Sequence, residues 1–448
     1  MKPAVLLFAT CLAALSLPAL AWSNHSLVTY RAFETMPQVA QAAPVAAESL
    51  EAFLKAQEAP IADLLARQEQ WARTHMPHYA PRADALVFKA DPSRSDAERR
   101  KAFLHALRVS PLSRFALYVQ ADPRTAPDPA RVLPHDAVNF LPEQTGNTRR
   151  FVAIAPQERV APLAVLASAS DEPDYGLDIN LWQDSPSEWG KAYGFGTLPF
   201  GNPALYYATQ APFHMGFYHQ QWLIYKAAPF IQRTYPLMRI QQYTSLAALA
   251  FRTGHAYWGW RFSGLALHYM QDLTQPYHAD LAPGDSSLRL ISANVMAMAG
   301  FPGRRDDLIV LLSNRHLVLE KFQNESMVES AKAGKDSSLE TALRRLELDA
   351  AYPPWSELYA RDTVAREAHA ISKRTVDTLL ATVPGKLVSD PKFDFGVKEA
   401  GINLLAEIER FGPGKRAELE KLVAELLSRL GAHSRNTVRG VLKAAQQP

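Results

Sequence analysis

His268, Asp272 and His278 fall close together in the stretch HYMQDLTQPYHAD, residues 268–280. On a helix, His268 and Asp272 lie four residues apart, so their side chains leave the same face one turn apart. Downstream, HLVLE repeats the arrangement with His316 and Glu320. The chain has 13 histidines and 45 acidic residues, so roughly one such pair is expected by chance and spacing alone decides little. Context adds weight. The run YWGWRFSGLAL before His268 is strongly apolar, and polar groups at the end of a buried helix must be partnered. Pro276 then stops the helix and turns His278 back towards its end. Histidines and carboxylates drawn from two helices and a loop make a ligand set suited to Zn²⁺, and this much carboxylate could hold more than one ion.

The elements that must position these residues are mostly helical. Residues 45–75 have apolar groups three and four apart with Pro60 as a break, and a second helix is expected near 96–108. The stretch 110–165 differs: Pro111, Pro123, Pro127, Pro129, Pro134, Pro142, Pro156 and Pro162 interrupt it, and RFALYVQ and RFVAIAP read as short strands. It is expected to be an irregular insertion. From 203 onward the pattern is helical and aromatic, with Tyr206, Tyr207, Phe213, Phe217, Trp222, Tyr257, Trp258, Trp260 and Phe262 read mainly as core. Helices are predicted over 306–325, over 361–382, and over 415–430 with Gly431 as its C-cap. The fold class is therefore mainly α and multi-helical. One domain is expected over 22–340, with 341–448 a C-terminal helical extension packed on it.

Lys2, the apolar run AVLLFATCLAALSLPAL and the small-x-small triplet Ala19-Leu20-Ala21 read as a signal peptide over residues 1–21. Cleavage there makes Trp22 the first residue, removes Cys11, the single cysteine, and places the protein in a periplasmic or extracellular compartment. Any metal site must then use His, Asp, Glu and main-chain ligands. A formal net charge of +3 offers no basic tract for capturing nucleic acid or an anionic membrane. No later apolar run is long enough to cross a bilayer.

WSNH, HYMQDLTQPYH with its Q-P-x-H-A core, and HLVLE together resemble the zinc-dependent phospholipase C and single-strand nuclease superfamily. The resemblance is scattered over nearly the whole chain and dense only around 265–320. It implies a mainly helical domain with three zinc ions in a cleft. One ion would be held by Asp171, His214, His268 and Asp272, a second by His278, His316 and Glu320, and a third by Trp22 and His25 with Asp272 shared. ASDEPDYGLD offers Asp174 in place of Asp171, and also Asp178; APFHMGFYH offers His219 in place of His214. The family's pattern favours Asp171 and His214, and gives Asp171 the further role of orienting or deprotonating the attacking water. His75, His78, His105, His135, His255, His369 and His433 lack partners at ligand spacing and read as structural.

The resemblance implies phosphodiester hydrolysis by metal-activated hydroxide. The HY-x-x-D form, Glu320 as last ligand and the near-neutral charge favour a phospholipid substrate, with peripheral contact at a membrane surface. A single-strand nuclease or 3′-nucleotidase is the alternative, since exposed aromatics would stack bases. A non-catalytic exported helical protein with a structural metal cluster is a third. The role of Trp22 separates the first two from the third: in the family its free amino group and carbonyl oxygen bind zinc. A variant retaining one residue before Trp22 should lose about one zinc equivalent by metal analysis, and full retention would remove Trp22 from the ligand set.

Overall fold

The computed structural model describes residues 22, 24–143, 148–201 and 209–447. The expected signal segment 1–21 with Cys11, and Tyr206 and Tyr207, lie outside the described residues. The chain is mainly helical with a few short strands. The helices that frame the site begin with α1 (His25–Phe33), α2 (Leu50–Ala56), α3 (Glu58–His75), α4 (Asp96–Leu107), α5 (Pro162–Asp171) and α6 (Ala211–His214). Next come α7 (Trp222–Ala227), α8 (Pro236–Arg252), α9 (Ala256–Asp272), α10 (Pro276–Ala279) and α11 (Ser287–Met298). The last are α12 (Gly303–Ala333), α13 (Ser338–Arg344), α14 (Arg366–Thr382), α15 (Leu404–Phe411) and α16 (Lys415–Ala445).

Helix α9 is the axis of the fold. Its sequence AYWGWRFSGLALHYMQD is apolar on every side, and every residue from Tyr257 to Asp272 is buried, as a helix without a polar face requires. Helices α8 and α5 flank it, and α16 closes over α8, α9 and α1. A charge within such a helix must be paired. Arg261 is: its Nε and Nη2 donate to the two carboxylate oxygens of Glu172 at 3.1 and 2.6 Å. Close packing against α5 depends on Gly264, where an added Cβ would lie 2.5 Å from the Leu166 carbonyl oxygen and 2.6 Å from the Ala169 Cβ.

Several expectations are met with refinements. The 45–75 pattern divides into α2 and α3, with Pro60 in the first turn of α3, where its missing N–H has no partner to lose. The 110–165 insertion holds a three-stranded antiparallel sheet of β2 (Tyr118–Gln120), β4 (Phe151–Ala153) and β3 (Val132–Leu133) in that order, with Val152 opposite both Val119 and Val132. Near its end the insertion also supplies β5 (Arg159–Val160), which pairs with β1 (Val45–Ala46). The 306–325 helix runs further, as α12, until Gly334 turns it at φ 62°. The 361–382 helix opens with a π turn over Ala360–Ala365.

The helix expected over 415–430 does not end at Gly431. It continues to Ala445, because a Cβ at Gly431 would lie 2.5 Å from the Leu343 carbonyl oxygen at the end of α13. The glycine is there for close helix approach, not for a cap. Along α16 the stripe Leu419, Leu422, Val423, Leu426 and Leu430 is buried in the main core. A smaller apolar cluster, containing Phe200, Met215, Phe217, Ile224 and Ile231, sits apart from that core.

Because Gly264 sets the spacing of α9 and α5, Gly264→Ala should destabilise the fold by about 1–3 kcal/mol, measured by urea denaturation. An unchanged midpoint would show that α5 moves aside freely.

Candidate metal centre

The C-terminal end of α9 carries His268 and Asp272, and Pro276 opens the short α10 that presents His278. Helix α6 ends at His214, α1 begins at His25, and α12 supplies His316 and Glu320. Beyond α5 the chain enters a 3₁₀ turn, Glu172–Tyr175, closed by Gly176 at φ 106°, and this turn swings Asp174 inward. All these side chains are buried.

They form three groups, in each of which one ligand atom per residue lies within 4.8 Å of the others: His25, His268 and Asp272; Asp174, His214 and His268; His278, His316 and Glu320. His25 Nε2 is 3.3 Å from Asp272 Oδ1, and His268 Nε2 is 3.5 Å from Asp272 Oδ2 and 3.7 Å from Asp174 Oδ1. His214 Nδ1 lies 2.9 Å from Asp272 Oδ2 and 3.0 Å from His268 Nε2. In the third group His316 Nε2 is 2.7 Å from Glu320 Oε1 and 3.0 Å from His278 Nε2.

The ring orientations are set from behind. His268 Nδ1 faces the Ser170 carbonyl at 2.8 Å and His278 Nδ1 faces the His214 carbonyl at 2.9 Å. A carbonyl only accepts, so both Nδ1 atoms carry the proton and both Nε2 lone pairs point into the cluster, the arrangement that outer partners impose on metal-binding histidines. His25 is held likewise: its Nδ1 meets Gln271 Oε1 at 2.8 Å, while Gln271 Nε2 donates to Thr29 and Ser434. Gln275 Nε2 donates to Glu320 Oε1 at 3.1 Å.

What the cluster lacks is donors and cations. Buried atoms without a hydrogen-bond partner include both carboxylate oxygens of Asp174, Asp272 Oδ1, Glu320 Oε2, His25 Nε2 and His214 Nε2. So many orphaned acceptors in one place is costly unless a cation meets them. The buried groups could therefore hold metal ions. Burial pushes the Asp174 and Glu320 carboxyls up to about 7 and the His316 imidazole down to about 3. Burial also drives His268 well below the usual histidine value. Against the same burial, Asp178 and Asp272 raise His214 to about 10, and the surrounding histidines hold Asp272 well below the carboxylate range.

Asp171, favoured by the family's pattern, stands beside the cluster with its oxygens already taken. Its Oδ2 accepts from Arg149 Nε at 2.7 Å, Gln120 Nε2 at 2.9 Å and the Tyr175 hydroxyl at 3.3 Å, and its Oδ1 from the Ser26 N–H at 3.3 Å. Burial opposes its ionisation, but the Arg149 guanidinium outweighs it and holds the carboxyl at about 2. Asp174, the substitute on sequence, is the aspartate grouped with His214 and His268. Of the two histidines, His214 joins the cluster, whereas His219 Nε2 is half-buried against the Arg361 carbonyl at 2.7 Å. Trp22 is buried, its indole N–H donating to Thr274 Oγ1 at 3.1 Å.

The supporting contacts were not legible in the sequence, although Asp178 was among its candidates. Asp178 accepts from Arg239 at 2.6 Å and Tyr269 at 2.6 Å, and its Oδ2 lies 3.6 Å from His214 Nε2. Arg149 and Gln120 reach Asp171 from the insertion, with no local spacing to announce them. Gln271 and Gln275 lie inside the central motif, Gln271 in the last turn of α9 and Gln275 at the cap of α10, so no helical spacing links them.

A cleft of about 1060 Å³ opens beside the cluster at Glu320, Arg149 and Asn24, and runs along α12 towards α15. No family model, curated protein or solved structure matches the chain.

The geometry separates the two aspartates. Asp174→Asn should remove about one equivalent of bound metal. Asp171→Asn should keep the full complement with affinity weakened by about 10–100-fold, the cost typical of an outer partner. Metal analysis after dialysis reads both, and the reverse result would return Asp171 to the ligand set.

Proposed function

We propose that the chain is a zinc-dependent phosphodiester hydrolase acting on phospholipids in the manner of a phospholipase C. The observation that carries this reading is the set of three His/carboxylate groups, two of them sharing His268, with their acceptors unpartnered and a cleft at their edge. Nitrogen and oxygen donors without sulfur, with rings fixed by carbonyls, suit zinc. Clustered zinc ions would supply a hydroxide near neutral pH and neutralise charge on a phosphoryl group.

The chain's own residues divide the remaining work. His25, His268 and Asp272 form one ligand group, Asp174 and His214 with His268 the next, and His278, His316 and Glu320 the third. The resemblance adds the Trp22 main chain to the group of His25. Asp171, saturated by donors, orients through Arg149 and the α1 backbone. Burial of these side chains strengthens the interactions of the charges they carry.

The cleft favours lipid over nucleic acid. Its described lining contains no aromatic side chain on which a base could stack, and its acidic side chains outnumber its basic ones. Leu317, Val328, Val397, Ile402 and Leu405 give it apolar stretches instead.

The test is metal analysis of purified protein with parallel assays on phosphatidylcholine and single-stranded DNA. About three zinc ions per chain are expected, with release of diacylglycerol from phosphatidylcholine. His278→Ala should lower that activity by more than the ~10–100-fold that an outer partner costs. Absence of zinc, or no His278-dependent hydrolysis, would overturn the reading; His278-dependent cleavage of DNA alone would replace it with the nuclease.

A further inference from the structure

Five of the eleven exposed large apolar side chains among the described residues gather on one small region: Trp222, Leu288, Val295, Met298 and Phe301, at 71, 73, 54, 37 and 67% exposure. Single exposed apolar groups are ordinary, but a contiguous set marks a surface that is covered in use. Ser287 Oγ donates to Gln221 Oε1 at 2.7 Å, tying together the starts of α7 and α11, so that Trp222 and Leu288 adjoin the same clamp. Leu288, Val295 and Met298 then run along one side of α11 for about 15 Å. At its end Gly300, at φ 94°, lets the Phe301 N–H return to the Met296 carbonyl. Phe301 is thereby placed at the tip of the same stripe.

Helix α11 has an apolar inner side as well. Leu290 and Ile291 pack on the small apolar cluster with Ile224 and Ile231. With Leu308 and Ile309 of α12 they line an apolar crevice of about 60 Å³. Yet only Ala293 of its twelve residues is buried. Leu290 lies on the opposite side and Ile291 at the flank of the stripe, so the helix is apolar over much of its circumference yet covered on only part of it.

The charges around it choose among occupants. Helices α7 and α11 carry no acidic side chain; their charged residues are Lys226 and Arg289. Lys226 lies over the Trp222 ring at 5.7 Å. Arg289 is 59% exposed, whereas its partner Asp285 is turned inward at 3%. The start of α12 is balanced: Arg304 and Asp307 are exposed, and Arg305 pairs with Asp306 at 2.7 Å. The rim therefore keeps an excess of positive charge, from Lys226 and Arg289, around tryptophan, phenylalanine and aliphatic groups, complementary to phosphates above acyl chains. No described helix is long and apolar enough to cross a membrane, so the contact is peripheral.

We infer that the outer face of α7 and α11, with Phe301, docks the protein on a phospholipid bilayer. The choice of a bilayer over a protein partner rests on the phospholipid reading of the metal centre as well as on this charge pattern. Helix α12 joins the two regions, since its start borders the docking face and His316 lies about 20 Å further along it.

The experiment pairs Trp222→Ser with Phe301→Ser in one variant, with Leu112→Ser as an exposed control elsewhere and thermal melts confirming the fold. Sedimentation with phosphatidylcholine vesicles, with and without phosphatidylserine, should show wild-type binding that falls at least tenfold in the double variant and is unchanged in the control. Hydrolysis of a short-chain phosphatidylcholine dissolved as monomers should be unchanged in the double variant, while hydrolysis of vesicles drops. Equal vesicle binding by wild type and double variant, or none by wild type, would overturn the inference. So would a wild-type dimer, seen by light scattering and lost in the double variant, without vesicle binding. Binding that depends on Trp222 and Phe301 but no cleavage of phosphatidylcholine would keep the docking surface and sink the phospholipase reading. Cleavage of monomers without vesicle binding would do the reverse.

Discussion

Pairing of guanidinium with carboxylate holds the segment ASDEPDYGLD in place, and the candidate metal centre depends on it. Asp171 is paired with Arg149, Glu172 with Arg261 and Asp178 with Arg239, all with buried carboxylates. Each arginine comes from a different part of the chain: the insertion, α9 and α8. Such pairs add little net stability when measured against well-packed apolar groups, but breaking one leaves a stranded charge. They therefore act mainly as pins. Asp174, the one acid of the segment without a guanidinium, is the one turned towards His214 and His268. Arginine pairing decides which acid remains available to a cation.

This explains how far the sequence could be read. The two four-residue His/acid pairs, the turn at Pro276 and the mainly helical class all rest on local periodicity, and they survive in the structure. His214 and Asp174 were visible as members of short candidate sets. Choosing Asp174 over Asp171 needed knowledge that Arg149, well upstream, would occupy Asp171 across a sheet. Gly431 shows the same limit. A glycine after a leucine stripe signals a cap locally, and only the approach of Leu343 reveals a close helix crossing. Tertiary contact outweighed local preference in both cases.

The centre also shows how an apolar helix can carry polar function. Helix α9 has no exposed side from Tyr257 onward, so its polar groups survive only where other elements supply partners. Arg261 meets Glu172, and Tyr269 meets Asp178. His268 and Asp272 meet each other and the rings of His25 and His214. The ligands stand on a rigid, densely packed rod, while the irregular insertion contributes only outer contacts.

His214 belongs to one group and holds a residue of another. Its ring faces Asp272 and His268, while its main-chain carbonyl accepts the Nδ1 proton of His278, and the Gly216 N–H returns to the His278 carbonyl at 2.8 Å. Two successive peptide units after His214 thus hold His278, a member of the neighbouring group. An ion that ordered the ring of His214 would therefore also order His278, a candidate ligand of the next group. If ions fill the three groups, that shared strand of hydrogen bonds would set ordering of one group by another against the mutual repulsion of the cations.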